Sequence, residues 1–143
     1  MTQSPLQHMA KVFPGTIEVD LRKQLGSCGV SGSLALQPIK TLSGGQKSRV
    51  VLSELLMHRP HIMLLDEPTN HLDMASIEAL RVALGSFAGG VVIVSHDQAL
   101  ISDMLGEGRG ELWSVSRRQV TQREGGLEEY VAEVEERLRR KAG

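Results

Sequence analysis

The sequence predicts an α/β fold with a mostly parallel sheet, preceded by helices and followed by a hairpin and a final helix. Two short apolar runs, residues 62–65 and 91–94, are typical of strands that are buried on both faces of a parallel sheet. Between them lies a segment with Ile77, Leu80 and Leu84 on one helical face. Because a strand, a helix and a strand with short links form a right-handed βαβ unit, we expect the two strands to pair in parallel.

Composition places the chain among globular proteins. Its 143 residues suffice for one domain with a core, and 41% hydrophobic and 23% charged residues are ordinary fractions. The formal net charge of −1 gives no global basic field that would attract nucleic acid. No apolar run approaches the roughly 20 residues of a membrane span, and no secretory leader pattern is present. Cys28 is the single cysteine and cannot form an internal disulfide, so we expect a cytoplasmic protein.

The N-terminal part predicts two small amphipathic helices. Pro5 follows a serine and is placed as in the first turn of a helix that carries Met9 on its apolar face. A second helix fits residues 17–25, with Leu21 and Leu25 at the four-residue spacing. Taken alone, these helices indicate no function.

A glycine turn opens the next predicted helix. Ser43 is a good N-cap, Gln46 completes a capping box, and the helix continues to about Met57. Gly44 and Gly45 leave the first turn without side chains, so backbone N–H groups at the positive helix end face outward and can bind an anion. An ordinary capped helix is the alternative, and this segment alone favours it.

Two carboxylates follow the first predicted strand directly. Asp66 and Glu67 stand where the strand leaves the sheet, and Pro68 ends it. Ligands bind outside the carboxyl ends of strands in open α/β sheets. An acid pair there suits a Mg²⁺–nucleotide site, with one carboxylate for the metal and one to orient an attacking water. Without further signals, two solvated acids are the better interpretation.

A histidine follows the second predicted strand. Since parallel strands end at the same edge of a sheet, we expect His96 beside Asp66 and Glu67. A lone histidine after a strand is usually a surface or capping residue, but one beside a carboxylate pair more often belongs to a site. Asp73 can cap the helix between the two strands.

The C-terminal part predicts a hairpin and a helix. Residues 111–115 and 119–122 are expected to pair, with Trp113 packed in the core and base stacking as the alternative. The last helix covers about residues 127–140. Its basic end, residues 137–141, is expected to be solvated, with an RNA or ribosome contact as the alternative.

Three segments in this order resemble the signature loop, the Walker B segment and the switch histidine of ABC ATPases: residues 42–49, 62–73 and 91–97. The form Asp-Glu-Pro-Thr-Asn-His-Leu-Asp is similar to the ABC-F family, soluble twin-cassette ATPases that are mostly tied to the ribosome. The form Leu-Ser-Gly-Gly-Gln-Lys-Ser-Arg resembles the second cassette of its eukaryotic Gcn20-like branch. The resemblance covers nearly the whole chain and implies a partial P-loop NTPase fold, the C-terminal portion of that cassette.

The resemblance implies a role for each site residue, with ATP and Mg²⁺ as cofactors. Asp66 would hold the metal, Glu67 would polarise the attacking water, and His96 would contact the γ-phosphate. Asp73 would link two ATP sites. The glycine turn would contact the γ-phosphate of ATP held by a second ABC cassette, through Ser43, Gly44, Gly45 and Gln46. The resemblance also implies the ribosome or RNA as a possible partner. It implies no membrane span.

A phosphate-binding loop of the form Gly-x-x-x-x-Gly-Lys-Ser/Thr is absent from the sequence. We therefore predict a truncated cassette. Its helical subdomain with the signature loop and helix covers about residues 1–57, and the two strands, the hairpin and the final helix cover about residues 61–143. We expect this chain alone to hydrolyse ATP negligibly and to leave apolar sheet surface uncovered.

The predicted function is to couple ATP binding and hydrolysis to translation within a complete ABC-F protein. The first alternative is a non-catalytic module that pairs with a complete cassette or with the ribosome. The second is the ATPase subunit of an ABC transporter, which the Asn-His-Leu-Asp form of residues 70–73 disfavours.

Overall fold

The computed structural model describes residues 3–106 and 110–142. Their helices and strands follow in the order α1 (Pro5–Val12), α2 (Glu18–Ser27), α3 (Gly44–Met57), β1 (Ile62–Asp66), α4 (Met74–Gly85), β2 (Gly90–Val94), α5 (Gln98–Leu105), β3 (Leu112–Ser116), β4 (Gln119–Arg123) and α6 (Gly126–Ala142). Short 3₁₀ helices at Gly32–Ala35 and Ile39–Thr41 connect α2 to α3. The chain divides into two compact units, one up to Val94 and one from Ser95. The predicted α/β class with a parallel strand pair is confirmed; the predicted subdomain boundary near residues 57–61 stays a prediction.

The first unit is built around α1, α2 and α3. Ser4 caps α1 in a capping box with Gln7, and Pro5 occupies the first turn as predicted. Met9 and Leu25 have no exposed surface. They belong to one apolar cluster that also contains residues of the connecting segment and of α3: Leu6, Met9, Leu21, Leu25, Val30, Ala35, Leu42 and Val50. This cluster fixes where the glycine turn at the start of α3 stands.

β1 and β2 pair in parallel, in register from Ile62 with Gly90 to Asp66 with Val94. The prediction that both faces of the pair are buried is wrong for one face. Met63 is buried, whereas the apolar side chains of the opposite face are all more than half exposed, Leu64 most at 77%; they are Ile62, Leu64, Val92 and Val94. The reason is that the first unit contains two strands in its described part, and nothing there covers this face. It is the uncovered apolar surface that we expected.

The second unit contains the predicted hairpin, β3 and β4, joined by Arg117 and Arg118. Both arginines have positive φ, 49° and 64°, as a two-residue hairpin turn requires. Trp113 is 51% exposed, so its predicted place in the core is wrong. Alternation along β3 turns Ser114 inward instead, where its hydroxyl accepts a 2.8 Å hydrogen bond from Arg123 Nε.

Arg123 also connects the hairpin to α6. Its Nη1 donates to Glu133 at 2.8 Å, and its guanidinium lies 5.3 Å from the centre of the Tyr130 ring. At the basic end of α6, Arg139 and Arg140 pair with glutamates one turn earlier on the same helix. Such exposed pairs are typical of a solvated helix face.

Candidate functional site

The start of α3 has the predicted capping box. The N–H of Gln46 donates to Ser43 Oγ at 3.2 Å, and the N–H of Ser43 donates to Gln46 Oε1 at 2.9 Å. The first amides of the helix, those of Gly44 and Gly45, have no intrahelical acceptor. Since Ser43 Oγ accepts the Gln46 bond and the residue is exposed, its hydroxyl hydrogen can donate outward. The turn therefore has the donors that an anion requires.

The two glycines of this turn differ in their surroundings. An added Cβ at Gly44 would meet nothing within 4 Å. At Gly45 it would lie 2.6 Å from Asp73 Oδ2 and 2.7 Å from Ser76 Oγ, and Gly45 is buried. The sequence does not indicate this difference between the two glycines, because it arises from the packing of α3 against α4. Sequence reasoning therefore missed Ser76, for which no motif gives a signal.

Asp73 caps α4, as predicted. Ser76 holds the pKa of the Asp73 carboxyl below its ordinary value of 3.8, first through its hydroxyl and second through its backbone N–H. Burial opposes this lowering, and the positive charge of Arg49 adds to it. The hydroxyl contact is close but lacks regular hydrogen-bond geometry. The 2.8 Å bond from the Ser76 N–H to Asp73 Oδ1 is therefore the contact that fixes the carboxylate.

This pKa predicts a pH dependence of stability. Because the Asp73 pKa is lower in the folded protein than its ordinary value of 3.8, its ionised form stabilises the fold above that pH. That contribution is lost as the pH falls below 3.8 and through the folded pKa. We expect Asp73→Asn to make the melting temperature less dependent on pH in this acid range. Identical pH profiles for the variant and the unmodified protein, measured by circular dichroism, would contradict this.

Asp66 and Glu67 lie at the carboxyl end of the strand pair. Asp66 is the last residue of β1 and pairs with Val94, and the N–H of Glu67 donates to the Val94 carbonyl at 2.7 Å. Glu67 has φ of 47°, a left-handed conformation that few non-glycine residues adopt. Glu67 precedes Pro68, and a residue before proline favours an extended backbone. Strained backbone of this kind is found preferentially at functional sites.

His96 is exposed and follows β2 by two residues. It belongs to the second unit, where Ser95 Oγ accepts from the N–H of Asp97 and Asp97 caps α5. Its place beside Glu67 therefore stays a prediction, as do the roles of all the site residues.

The acid pair fits a magnesium ion that is also bound by phosphate. Residues 3–106 and 110–142 contain no cluster of three or more metal-ligating side chains. Mg²⁺ in nucleotide sites needs only one or two carboxylates, since waters and phosphate oxygens complete its shell. Asp66, exposed at the strand end, meets this requirement. A groove of about 680 Å³ lies beside His61 and Gly90, at the opposite end of the strands from Asp66. It is therefore not the predicted nucleotide site.

The chain is similar to known proteins along most of its length. The ABC transporter family profile matches residues 8–70. ATP-binding cassette sub-family F member 3 of Rattus norvegicus is 48% identical over 137 residues, which cover 96% of this chain and 19% of that protein. Protein GCN20 of Saccharomyces cerevisiae is 43% identical over 130 residues, which cover 91% of this chain and 17% of that protein.

The chain is similar to the ABC-F family of ATP-binding cassette proteins over nearly its whole length. It spans about a fifth of the length of the curated relatives it matches. The ABC-F resemblance seen in the sequence is confirmed. No helix in the described part of the chain has the length and apolarity needed to cross a membrane.

Solved structures show the fold of this chain. A dimeric structure of MJ0796, described as a bacterial ABC transporter cassette, matches 70% of this chain and 49% of that one with a TM-score of 0.55 and 26% identity. A dimeric post-hydrolysis state of the same cassette, bound to ADP and Pi, matches 71% of this chain and 49% of that one with a TM-score of 0.54 and 23% identity. The predicted partial cassette fold is confirmed.

Proposed function

We propose that this chain is part of an ABC-F cassette that couples ATP binding and hydrolysis to translation in the cytoplasm. The observation that carries the proposal is the carboxyl end of β1, where Asp66 and a left-handed Glu67 stand together. The activity is proposed for a complete protein of the relatives' length. There, a phosphate-binding loop would contribute most contacts to the triphosphate.

The two carboxylates would have different roles. Asp66 would hold Mg²⁺, which neutralises phosphate charge when bound. The Glu67 carboxylate would orient the attacking water and accept its proton. The hydrogen bond from its N–H to Val94 fixes the position of its backbone. The His96 imidazole would donate a hydrogen bond to the γ-phosphate, which requires it to lie at the same sheet edge.

The glycine turn would serve a second cassette. Ser43 and Gly44 are exposed, and the donors of the turn are the Ser43 hydroxyl and the first amides of α3. We propose that Ser43, Gly44, Gly45 and Gln46 contact the γ-phosphate bound by the facing cassette. The dimeric state of the MJ0796 cassette supports a pairing of this kind. Asp73, next to Gly45, would contact the facing cassette and link the two sites.

The exposed sheet face supports a role within a larger assembly. Four apolar side chains are exposed there, and an uncovered apolar face of a sheet is typical of a surface that another segment covers. The alternative of a non-catalytic module uses this same observation, since a partner cassette could cover the face as well. The two proposals differ in whether binding to the ribosome depends on ATP.

Sedimentation of the complete ABC-F protein through a sucrose cushion tests the proposed function. We expect the protein to sediment with ribosomes in ATP and not in ADP, and Glu67→Gln to retain the ATP-bound association. Association that is equal in ATP, in ADP and without nucleotide would favour the non-catalytic module. Recovery with membranes instead of ribosomes would favour a transporter subunit and contradict a role in translation.

A further inference from the structure

Two helices of the first unit meet where the glycine turn begins. Gly45 of α3 lies against Asp73, the N-cap of α4, and against Ser76 of α4, so a methyl group added at Gly45 would displace their side-chain oxygens. We call this the Gly45 contact. It joins the turn at residues 43–46 to the turn that follows Glu67, and both turns belong to one chain.

The Gly45 contact is fixed from both helices. Ser76 is 1% exposed, and its backbone N–H holds the Asp73 carboxylate at 2.8 Å. On α3, Arg49 stands one turn after Gly45 and so on the same helical face. Its charge acts on Asp73, while its Nη1 donates to the Gly29 carbonyl at 3.3 Å. The Asp73 carboxylate is therefore held against the first turn of α3 by these contacts.

We propose that Asp73 and Ser76 are positioning residues, which hold the glycine turn of α3 at a fixed place relative to the acid turn after β1. The effect of this positioning on ATP turnover rests on the proposed function. A ligand that shifts the turn at residues 43–46 then shifts Asp73, and a contact made by Asp73 shifts the glycine turn. Such coupling is reciprocal by thermodynamic necessity.

Amide hydrogen exchange of the protein without nucleotide measures this coupling. The reporter on α4 is the Ser76 amide, which is bonded to Asp73, and the reporter on α3 is the Gln46 amide, which is bonded to Ser43. We expect Gly45→Ala to speed exchange of the Ser76 amide at least about tenfold, because the added methyl forces Asp73 away. Gly44→Ala is the matched control, and we expect it to leave the Ser76 amide unchanged.

Asp73→Ala provides the reciprocal measurement and does not add bulk. We expect it to speed exchange of the Gln46 amide on α3, about tenfold, although Gln46 has no bond to Asp73. The amide of Leu25 in the buried core reports global unfolding. Equal acceleration of Leu25 and the two reporters would show general destabilisation and overturn the proposal. Identical effects of the alanines at 44 and 45 would overturn it as well.

ATP turnover by the complete protein tests the consequence separately. If exchange behaves as expected and Gly45→Ala also lowers turnover, both proposals are supported. If exchange behaves as expected but both alanine variants turn over ATP normally, the positioning stands and the function proposed for the glycine turn is wrong. Exchange that does not cross from one helix to the other contradicts the positioning role whatever the turnover.

Discussion

Replacing Glu67 by glutamine is expected to lower ATP turnover of the complete ABC-F protein about 10²–10⁴-fold, the usual contribution of a general base. Glutamine has nearly the same shape but cannot accept the proton of the attacking water. ATP binding does not use this proton acceptor, so the variant should accumulate as an ATP-bound pair of cassettes. Single-turnover phosphate release, together with size-exclusion chromatography in ATP, measures both effects.

The matched control for this prediction is Glu78→Gln on α4. Glu78 is an exposed glutamate that pairs with Arg81 at 3.5 Å on the same helix. A surface pair of this kind contributes little to stability. We therefore expect unchanged turnover and unchanged pairing. Turnover that survives the change at Glu67 would show that its carboxylate is not the base.

Replacing Leu25 by alanine is expected to destabilise the protein by about 2–5 kcal/mol, the usual range for a buried leucine. Leu25 has no exposed surface and belongs to the cluster that includes Val50 of α3. The cavity would loosen the support of the helix that carries the glycine turn. The change in the midpoint of urea unfolding measures the loss.

Val19→Ala is the control on the same helix. Val19 is 70% exposed, so its removal leaves no cavity, and we expect a change within about 0.5 kcal/mol. Equal effects at positions 19 and 25 would mean that the cluster is not the core of the first unit.

Local sequence patterns predicted the helices and strands, because caps and short apolar runs depend on residues that are close in sequence. The N-cap at Asp73 and the capping box of Ser43 with Gln46 need only residues within one turn, and both are present. The parallel pairing followed from the strand–helix–strand order. The ABC-F resemblance then named the family, which composition and periodicity could not do.

Features that depend on packing between elements were not predictable. Trp113 looked like a core residue because large aromatics usually are, but alternation along β3 places Ser114 inward. The burial of Gly45 depends on how α4 lies against α3. Glu67 combines a left-handed backbone with a hydrogen bond to Val94 on the neighbouring strand, and no local pattern predicts this combination.

The proposed function requires the His96 imidazole to lie near Asp66 and Glu67, and thiol cross-linking tests this requirement directly. In a Cys28→Ala background, cysteines are introduced at Glu67 and His96, or at His61 and His96, and treated with a short bifunctional thiol reagent. His61 lies at the opposite end of β1, about 20 Å from Glu67 at the usual rise per residue. We expect the 67–96 pair to cross-link and the 61–96 pair not to; the reverse result would contradict the proposed function.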